Sequence, residues 1–424
     1  DNLKIRLSYG SLGNQQIGYY DFIQTITTKG SMGDYSFDGT ILGQHATVSD
    51  PVSGNQTWEK VISKNLGADL NMFSNRLSLT ADFYIRDTKG ILGKGKSLPS
   101  IYGANEPQVN SNNLRTKGYE LVLGWRDSFK LAGSTFSYGI TGTFSDYTAE
   151  YTKCDNPSGL IGDPYVGKKY GEIWGYKVDG LFRNDEEAAE YASRVDLSKV
   201  AAGYYSATGA YGKGVRGGDI KYLDLDGSGI VDGGKGTLED PGDRRVIGNS
   251  SPRYQYGLTL NLSWYGFDLS VFMQGIGRLD WYPGADNLRF WGPYSRPYAT
   301  FIPKNFMSQV WSESNPDAYL PRARAYTSLN STQGTAYYTN DRYLQNLAYC
   351  RLKNLTLGYT IPKRLTSKVG IKECRVYFSG ENLATWSALK NDFLDPEQAA
   401  ADSDKKSNVY PWCRTYSVGL NLTF

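Results

Sequence analysis

Side chains that alternate apolar and polar over ten or more residues at a stretch most limit how this chain can fold. The final segment shows the pattern best. Tyr416, Val418, Leu420, Leu422 and Phe424 share one face, and Thr415, Ser417, Gly419, Asn421 and Thr423 share the other. Tyr254, Tyr256, Leu258, Leu260, Leu262 and Trp264 alternate in the same way with Gln255, Gly257, Thr259, Asn261 and Ser263, and the pattern returns over 77–86 and 354–361. A period of two belongs to a β-strand whose two faces meet different surroundings. Strands are expected near 3–9, 58–73, 76–92, 112–126, 135–150, 253–265, 267–277, 347–361, 373–383 and 410–424. Several exceed the roughly 5–6 residues usual in globular sheets and reach the about 9–11 that a tilted strand needs to cross a bilayer. Tyr254 and Trp264 stand at the two ends of one apolar row, where aromatic girdles meet lipid headgroups.

The connections alternate as well. Short ones join Phe73 to Leu77, Arg126 to Thr135, Trp264 to Phe267 and Pro362 to Glu373; long ones cover 10–57, 93–111, 151–252, 278–346 and 384–409. Transmembrane barrels have short periplasmic turns and long extracellular loops. On that rule the first strand runs outward, the last runs inward, and Phe424 ends in the periplasm. The expected fold class is all-β, a transmembrane antiparallel β-barrel with long extracellular loops. Loops of this length would overwhelm the rim of a ten-stranded barrel. Further strands, and whatever plugs the lumen, are therefore expected N-terminal to Asp1. The opening Asp1-Asn2-Leu3-Lys4-Ile5-Arg6 is neither a start nor a signal peptide, and the chain begins inside a strand.

Composition agrees with this reading and excludes others. The 34 Tyr, 48 Gly and 9 Trp are strand and turn residues. The mean hydropathy of −0.48 is that of a soluble protein, yet it also suits a barrel in which every second strand residue meets lipid. No apolar run approaches 18 residues, so no transmembrane helix is expected. A net charge of +3 is too weak to point to nucleic acid. Cys154, Cys350, Cys374 and Cys413 form no CxxC pair, which argues against zinc. A disulfide among Cys350, Cys374 and Cys413 and four free thiols are both open. His45 is the sole histidine, so no Ser-His, Cys-His or histidine-metal site can be built, and no enzyme is expected.

The order of short motifs resembles one family. Leu3-Lys4-Ile5-Arg6-Leu7-Ser8-Tyr9-Gly10 through Asn14-Gln15, Thr57-Trp58-Glu59-Lys60 with Asn65-Leu66-Gly67-Ala68-Asp69, and Gly218-Asp219-Ile220-Lys221-Tyr222 are similar to the SusC/RagA family of TonB-dependent transporters. So are Trp311 with Asn315-Pro316 and Pro321-Arg322, and Arg351-Leu352-Lys353-Asn354-Leu355. The ending fits too: Asp395-Pro396-Glu397, Tyr410-Pro411, and Gly419-Leu420-Asn421-Leu422-Thr423-Phe424. The resemblance implies a barrel of about 22 strands, the size of plugged outer-membrane transporters. The chain would then be the C-terminal part, carrying the last ten strands, with the plug domain, the TonB box and the earlier strands outside it. It further implies import of glycans or oligopeptides across the outer membrane of a Gram-negative Bacteroidota bacterium. The implied partners are a SusD-like surface lipoprotein, the TonB complex and outer-membrane lipid, with SusC–SusD pairs assembled as a dimer. A barrel that acts only as a surface receptor or adhesin is the alternative. A secreted carbohydrate-binding or hydrolytic β-protein is a third.

Three sites stand out. Asp224, Asp226, Ser228, Ile230 and Asp232 fall at positions 1, 3, 5, 7 and 9 of a calcium-type loop, with Gly229 at 6. Lys235 occupies position 12, where a carboxylate belongs, and an insertion from Gly233 to Gly242 delays the family's Asp-Arg pair to Asp243-Arg244. Asp243, or else Glu239 or Asp240, is expected to fold back and complete a structural Ca²⁺ site; a metal-free Gly-Asp turn is the alternative. Loop 278–346 carries Trp281, Tyr282, Phe290, Trp291 and Tyr294 beside Asp286, Arg289 and Arg296. These rings are candidates to stack on a sugar or an extended peptide, or else to brace the loop. Asp185 to Arg194 reads as a short helix capped by Asn184. The terminal Phe424 is, by the resemblance, a signal for the barrel-assembly machinery.

Overall fold

The computed structural model describes residues 1–14, 23–30, 36–37, 40–41, 44–54, 56–95, 98–205, 214–296, 298, 302, 304–324, 329, 334–390, 394–400 and 412–424. Ten strands form one antiparallel sheet: β1 Asn2–Asn14, β2 Glu59–Met72, β3 Leu77–Lys94, β4 Gln108–Leu131, β5 Ser134–Lys153, β6 Arg253–Trp264, β7 Phe267–Arg278, β8 Tyr349–Thr360, β9 Glu373–Ser387 and β10 Thr415–Thr423. Each strand pairs with its neighbours in sequence order, from β1 to β10. All ten expected strands are present. Tyr410 and Pro411, placed at the start of the last strand from sequence, lie outside the described residues.

The apolar rows are not tucked beneath a second sheet. Leu3, Leu7 and Val418 are 60%, 80% and 80% exposed, so this face is suited to hydrocarbon and not to the interior of a sandwich. No helix among the described residues is long and apolar enough to cross a membrane. The other face is polar and ion-paired. Arg6 reaches both Asp69 and Asp82 at 2.8 Å, and Arg375 donates to Asp268 at 2.9 Å.

The shape of the strands departs from the sequence expectation at one hairpin. The turn was expected between Arg126 and Thr135, but the ladder continues to Leu131 opposite Ser134. Asp127 to Leu131 keep the alternation, with Phe129 and Phe136 rings 5.3 Å apart. The turn shrinks to Ala132-Gly133, both at positive φ (48° and 83°), the backbone of a two-residue type I′ hairpin.

The abundance of Tyr and Gly has a packing reason. On the polar face Tyr84 lies over Gly118, its cross-strand partner, and Tyr377 lies over Gly419. A Cβ at Gly118 would sit 2.5 Å from the Tyr84 ring. The glycine leaves the ring room to lie flat, and the ring shields backbone that glycine leaves bare. Gly118→Val is expected to destabilise the full-length protein by about 1–3 kcal/mol through overpacking, and adding Tyr84→Ala should return most of it. Heat-induced loss of the folded band on a detergent gel measures this; equal losses in the single and double variants would refute the contact.

Candidate functional site

Beyond the sheet, the long connections after β5, β7 and β9 fold into one apolar core. Phe182, Leu197, Tyr204, Ile220 and Tyr222 come from the first, Trp291, Phe306, Tyr343 and Leu347 from the second, and Leu394 and Ala399 from the third. The five candidate substrate rings are in it. Trp281, Tyr282, Phe290, Trp291 and Tyr294 are between 0 and 7% exposed. Phe290 meets Trp291 edge-on at 4.7 Å, and Trp291 meets Tyr343 at 5.0 Å. Tyr282 donates to the Tyr338 carbonyl at 3.1 Å, and Tyr294 donates to the Pro321 carbonyl. With their faces covered, these rings brace the loops and present no stacking platform to a ligand. Large rings bury best where a long loop must hold its shape.

A buried ion pair ties two of the loops together. Arg324 donates to both oxygens of Asp219, at 2.9 Å from Nε, and its guanidinium lies 4.1 Å from the centre of the Tyr204 ring. Asp219 is 1% and Arg324 5% exposed. This pair gives a reason for the Asp of the Gly218-Asp219-Ile220 motif that sequence alone did not offer. Asn184 caps helix α1, Asp185–Ala192, by accepting from the Glu187 N–H. The helix lays Ala188 into the core and so braces the first loop.

The aspartate-rich turn assembles largely as expected. Asp243 folds back, and carboxylate oxygens of Asp224, Asp226 and Asp243 all lie within 4.8 Å of one another. The insertion does not break the site, because it is pinched off at its base. The Asp243 N–H donates to the Asp232 carbonyl at 3.0 Å, and residues 236 and 238 bond to Ile161 and Gly159 of the same long connection. Asp243 thus stands where the twelfth position would have been. Its carboxylate also accepts N–H groups of Leu225, Asp226 and Asp232. Burial pushes the Asp243 carboxyl up from the ordinary carboxylate value, against the pull of those donors. Ser228 stays beside the cluster, its N–H donating to Asp226 at 2.9 Å and its hydroxyl to the Ile230 carbonyl at 3.0 Å, whereas Asp232 accepts the Gly234 N–H at 2.7 Å. Three convergent carboxylates are a hard oxygen donor set, suited to a cation such as Ca²⁺.

A further cluster went unread in the sequence. Arg351, 1% exposed, donates to Asp395 at 2.6 Å, Glu397 at 2.7 Å and Thr385 at 2.9 Å. Lys353 reaches Glu397 at 2.8 Å. The cluster fastens the third loop to strand β8. Its signal was available: two cations two residues apart on a strand, and two carboxylates two apart in the Asp-Pro-Glu motif. The cysteines are not bonded to one another. Cys350 lies opposite Trp386 and Cys374 opposite Leu422, so the register does not bring these two together. Phe424 follows the end of β10 and is 73% exposed.

Arg324→Met is expected to destabilise the loop core by about 3–5 kcal/mol at neutral pH, since it strands a buried charge. Burial raises Asp219 to about 6, with Arg324 and Arg322 pulling the other way. A folded-state value above the unfolded one means the protonated carboxyl is better tolerated. Its stabilisation is complete below about pH 4 and is lost as the pH rises through 6. Thermal unfolding between pH 5 and 8 should therefore show the variant's deficit shrinking towards acid; a deficit independent of pH would count against the buried charge.

Comparison with known proteins gives the chain its relatives. No protein-family model matches it. It is 26% identical over 444 residues to TonB-dependent receptor P3 of Formosa agariphila, covering 99% of this chain and 39% of the receptor. It is 27% identical to TonB-dependent receptor P26 of the same organism, covering 100% and 40%. With TonB-dependent receptor SusC of Bacteroides thetaiotaomicron it shares 21% identity, covering 100% and 38%. The chain therefore spans about two-fifths of the length of these relatives. The structure of the RagAB peptide transporter shares the fold with a TM-score of 0.68 at 22% identity, covering all of this chain and 41% of that one. The RagAB peptide importer in its open-open state matches equally, at 20% identity. These relatives are receptors and transporters, not enzymes. Along its whole length the chain is similar in sequence to TonB-dependent receptors, SusC among them, and it shares its fold with the RagAB peptide transporter.

Proposed function

We propose that the chain is the C-terminal wall and loop cap of an outer-membrane importer for glycans or oligopeptides. The observation that carries this reading is the combination of whole-length similarity to TonB-dependent receptors with an exposed apolar face on long antiparallel strands. In this reading β1–β10 form part of a closed barrel, the apolar rows face lipid, and the polar face with Arg6, Asp69 and Asp82 lines the lumen. The loop core forms the outer mouth, braced by the rings of Trp281 to Tyr294. A plug, a TonB box and further strands belong to the whole protein. A SusD-like surface lipoprotein is its partner on the outer side, in a dimer of such pairs, and TonB is its partner on the inner side. Phe424 at the inner end of β10 serves as the assembly signal.

Uptake of labelled oligosaccharides and oligopeptides by cells, with and without the intact gene, tests the reading and sorts the two substrate classes. Loss of uptake of one class on deletion, and equally on depletion of TonB, is the expected result. Surface binding that persists with no TonB-dependent uptake would instead make the protein a receptor or adhesin.

Within the same proposal, Asp224, Asp226 and Asp243 hold a structural calcium ion. Bound there, the ion supplies positive charge that fixes the 224–232 turn to the start of the strand Arg244–Asn249, and it takes no part in chemistry on a substrate. Calcium should raise the thermal midpoint of the full-length protein relative to chelator, and Asp224→Ala should abolish the increment. Identical midpoints with and without calcium would remove the metal and leave a turn held by its backbone hydrogen bonds.

A further inference from the structure

The apolar face of β1–β5 does not stay apolar up to the ends that carry the long loops. Leu7, Leu66, Phe83 and Tyr119 stand side by side in one row across four strands. Two residues further along each strand, on the same face, the next row contains Lys64 and Lys117. The row after that contains Arg115 between Asp87 and Glu150. A third row sets Lys60 directly opposite Lys89. Both carboxylates are already taken: Asp87 by Arg115 at 2.7 Å and Glu150 by Lys169 at 2.6 Å. Among the described residues Lys60, Lys64, Lys89 and Lys117 have no carboxylate within ion-pair distance. Like charges directly opposite on neighbouring strands repel, and in these rows Lys60, Lys64, Lys89, Arg115 and Lys117 outnumber the carboxylates of Asp87 and Glu150.

Between the apolar row and the cations lies a groove of about 660 Å³, floored by Leu7, Leu66, Phe83 and Tyr119 and edged by Lys64 and Lys117; at its far end Asp146 continues the row beside Tyr119, its charge met by Arg253 at 2.5 Å. The geometry points to a phosphorylated lipid as its occupant, with acyl chain along the apolar floor and phosphate among the lysines. Charge complementarity selects the anion. The apolar floor, continuous with the exposed rows below, selects a lipid over an acidic protein face. Lys64 and Lys117 share one row across neighbouring strands, Arg115 stands in the next, and Lys60 and Lys89 stand in the one after that, so the cations form a band at the loop end of this face. Long lysine stems suit this place, since they cover apolar surface while the ammonium reaches the polar layer. The inference builds on the membrane-spanning reading proposed above and adds which lipid chemistry the wall prefers.

Full-length protein in neutral detergent, offered diphosphoryl lipid A or the same lipid with its phosphates removed, tests it by native mass spectrometry. The phosphorylated lipid should remain bound at concentrations where the dephosphorylated one does not. Lys64→Gln with Lys117→Gln should weaken retention by about fivefold per lysine, or about 25-fold together. Equal retention of the two lipids by the unaltered protein would overturn the inference whether or not the variant folds, as would unchanged retention by a folded variant. A second copy of the chain held in place of lipid would overturn it too. Protein that partitions into the soluble fraction without detergent would sink the membrane reading itself, whereas protein that needs detergent yet ignores the phosphates would sink only this assignment.

Discussion

Hydrocarbon offers no hydrogen bond to a backbone, and in the membrane-spanning reading proposed above that constraint comes before all others. A strand inside a bilayer has to pair every N–H and C=O with a neighbouring strand. The sheet meets the demand with nine consecutive antiparallel pairings in chain order and no crossover. Because the ladder takes care of the backbone, side chains are free to differ on the two faces. One face can expose Leu3, Leu7 and Val418, while the other carries arginine–aspartate pairs. The tight turns follow from the same demand, since a two-residue hairpin at Ala132-Gly133 wastes no backbone group where two strands meet.

Outside the sheet the rule reverses. There water can satisfy loose backbone, and the problem is to give long loops a shape. The loops solve it as a soluble domain would, with an apolar core, a capped helix, and ionic groups buried in pairs. Asp219–Arg324 ties the first loop to the second, and Arg351 with Asp395 and Glu397 ties the third to β8. Asp219, Arg324 and Arg351 are nearly free of water, where an unpaired charge is far less tolerable than on a surface.

How much of this could be read from the residues depended on the range of the interaction. Strands show themselves locally, because alternation is a property of neighbours in sequence. All ten were legible, and only their ends were misplaced, as at Asp127 to Leu131, where polar residues hid a continuing ladder. The aspartate turn was legible for the same reason, and even the return of Asp243 could be anticipated from the family's Asp-Arg pair. The fate of Trp281, Tyr282, Phe290, Trp291 and Tyr294 could not. A ring in a loop looks the same in sequence whether it faces solvent or a tyrosine some fifty residues away, and here Tyr343 covers Trp291. The Arg351 cluster was hidden likewise. Its partners stand 44 and 46 residues away, and no local pattern announces which carboxylate a buried arginine will choose.

The shared core of the three loops has a mechanical consequence. Phe182, Trp291 and Leu394 come from connections that leave the sheet at three separate hairpins, yet they pack in one cluster and exclude the same water. Such a cluster opens cooperatively, because separating one member exposes the apolar faces of the others. The loop core therefore behaves as a stiff collar spanning the strands from β5 to β10. A push delivered to any one of its segments is felt along the whole arc.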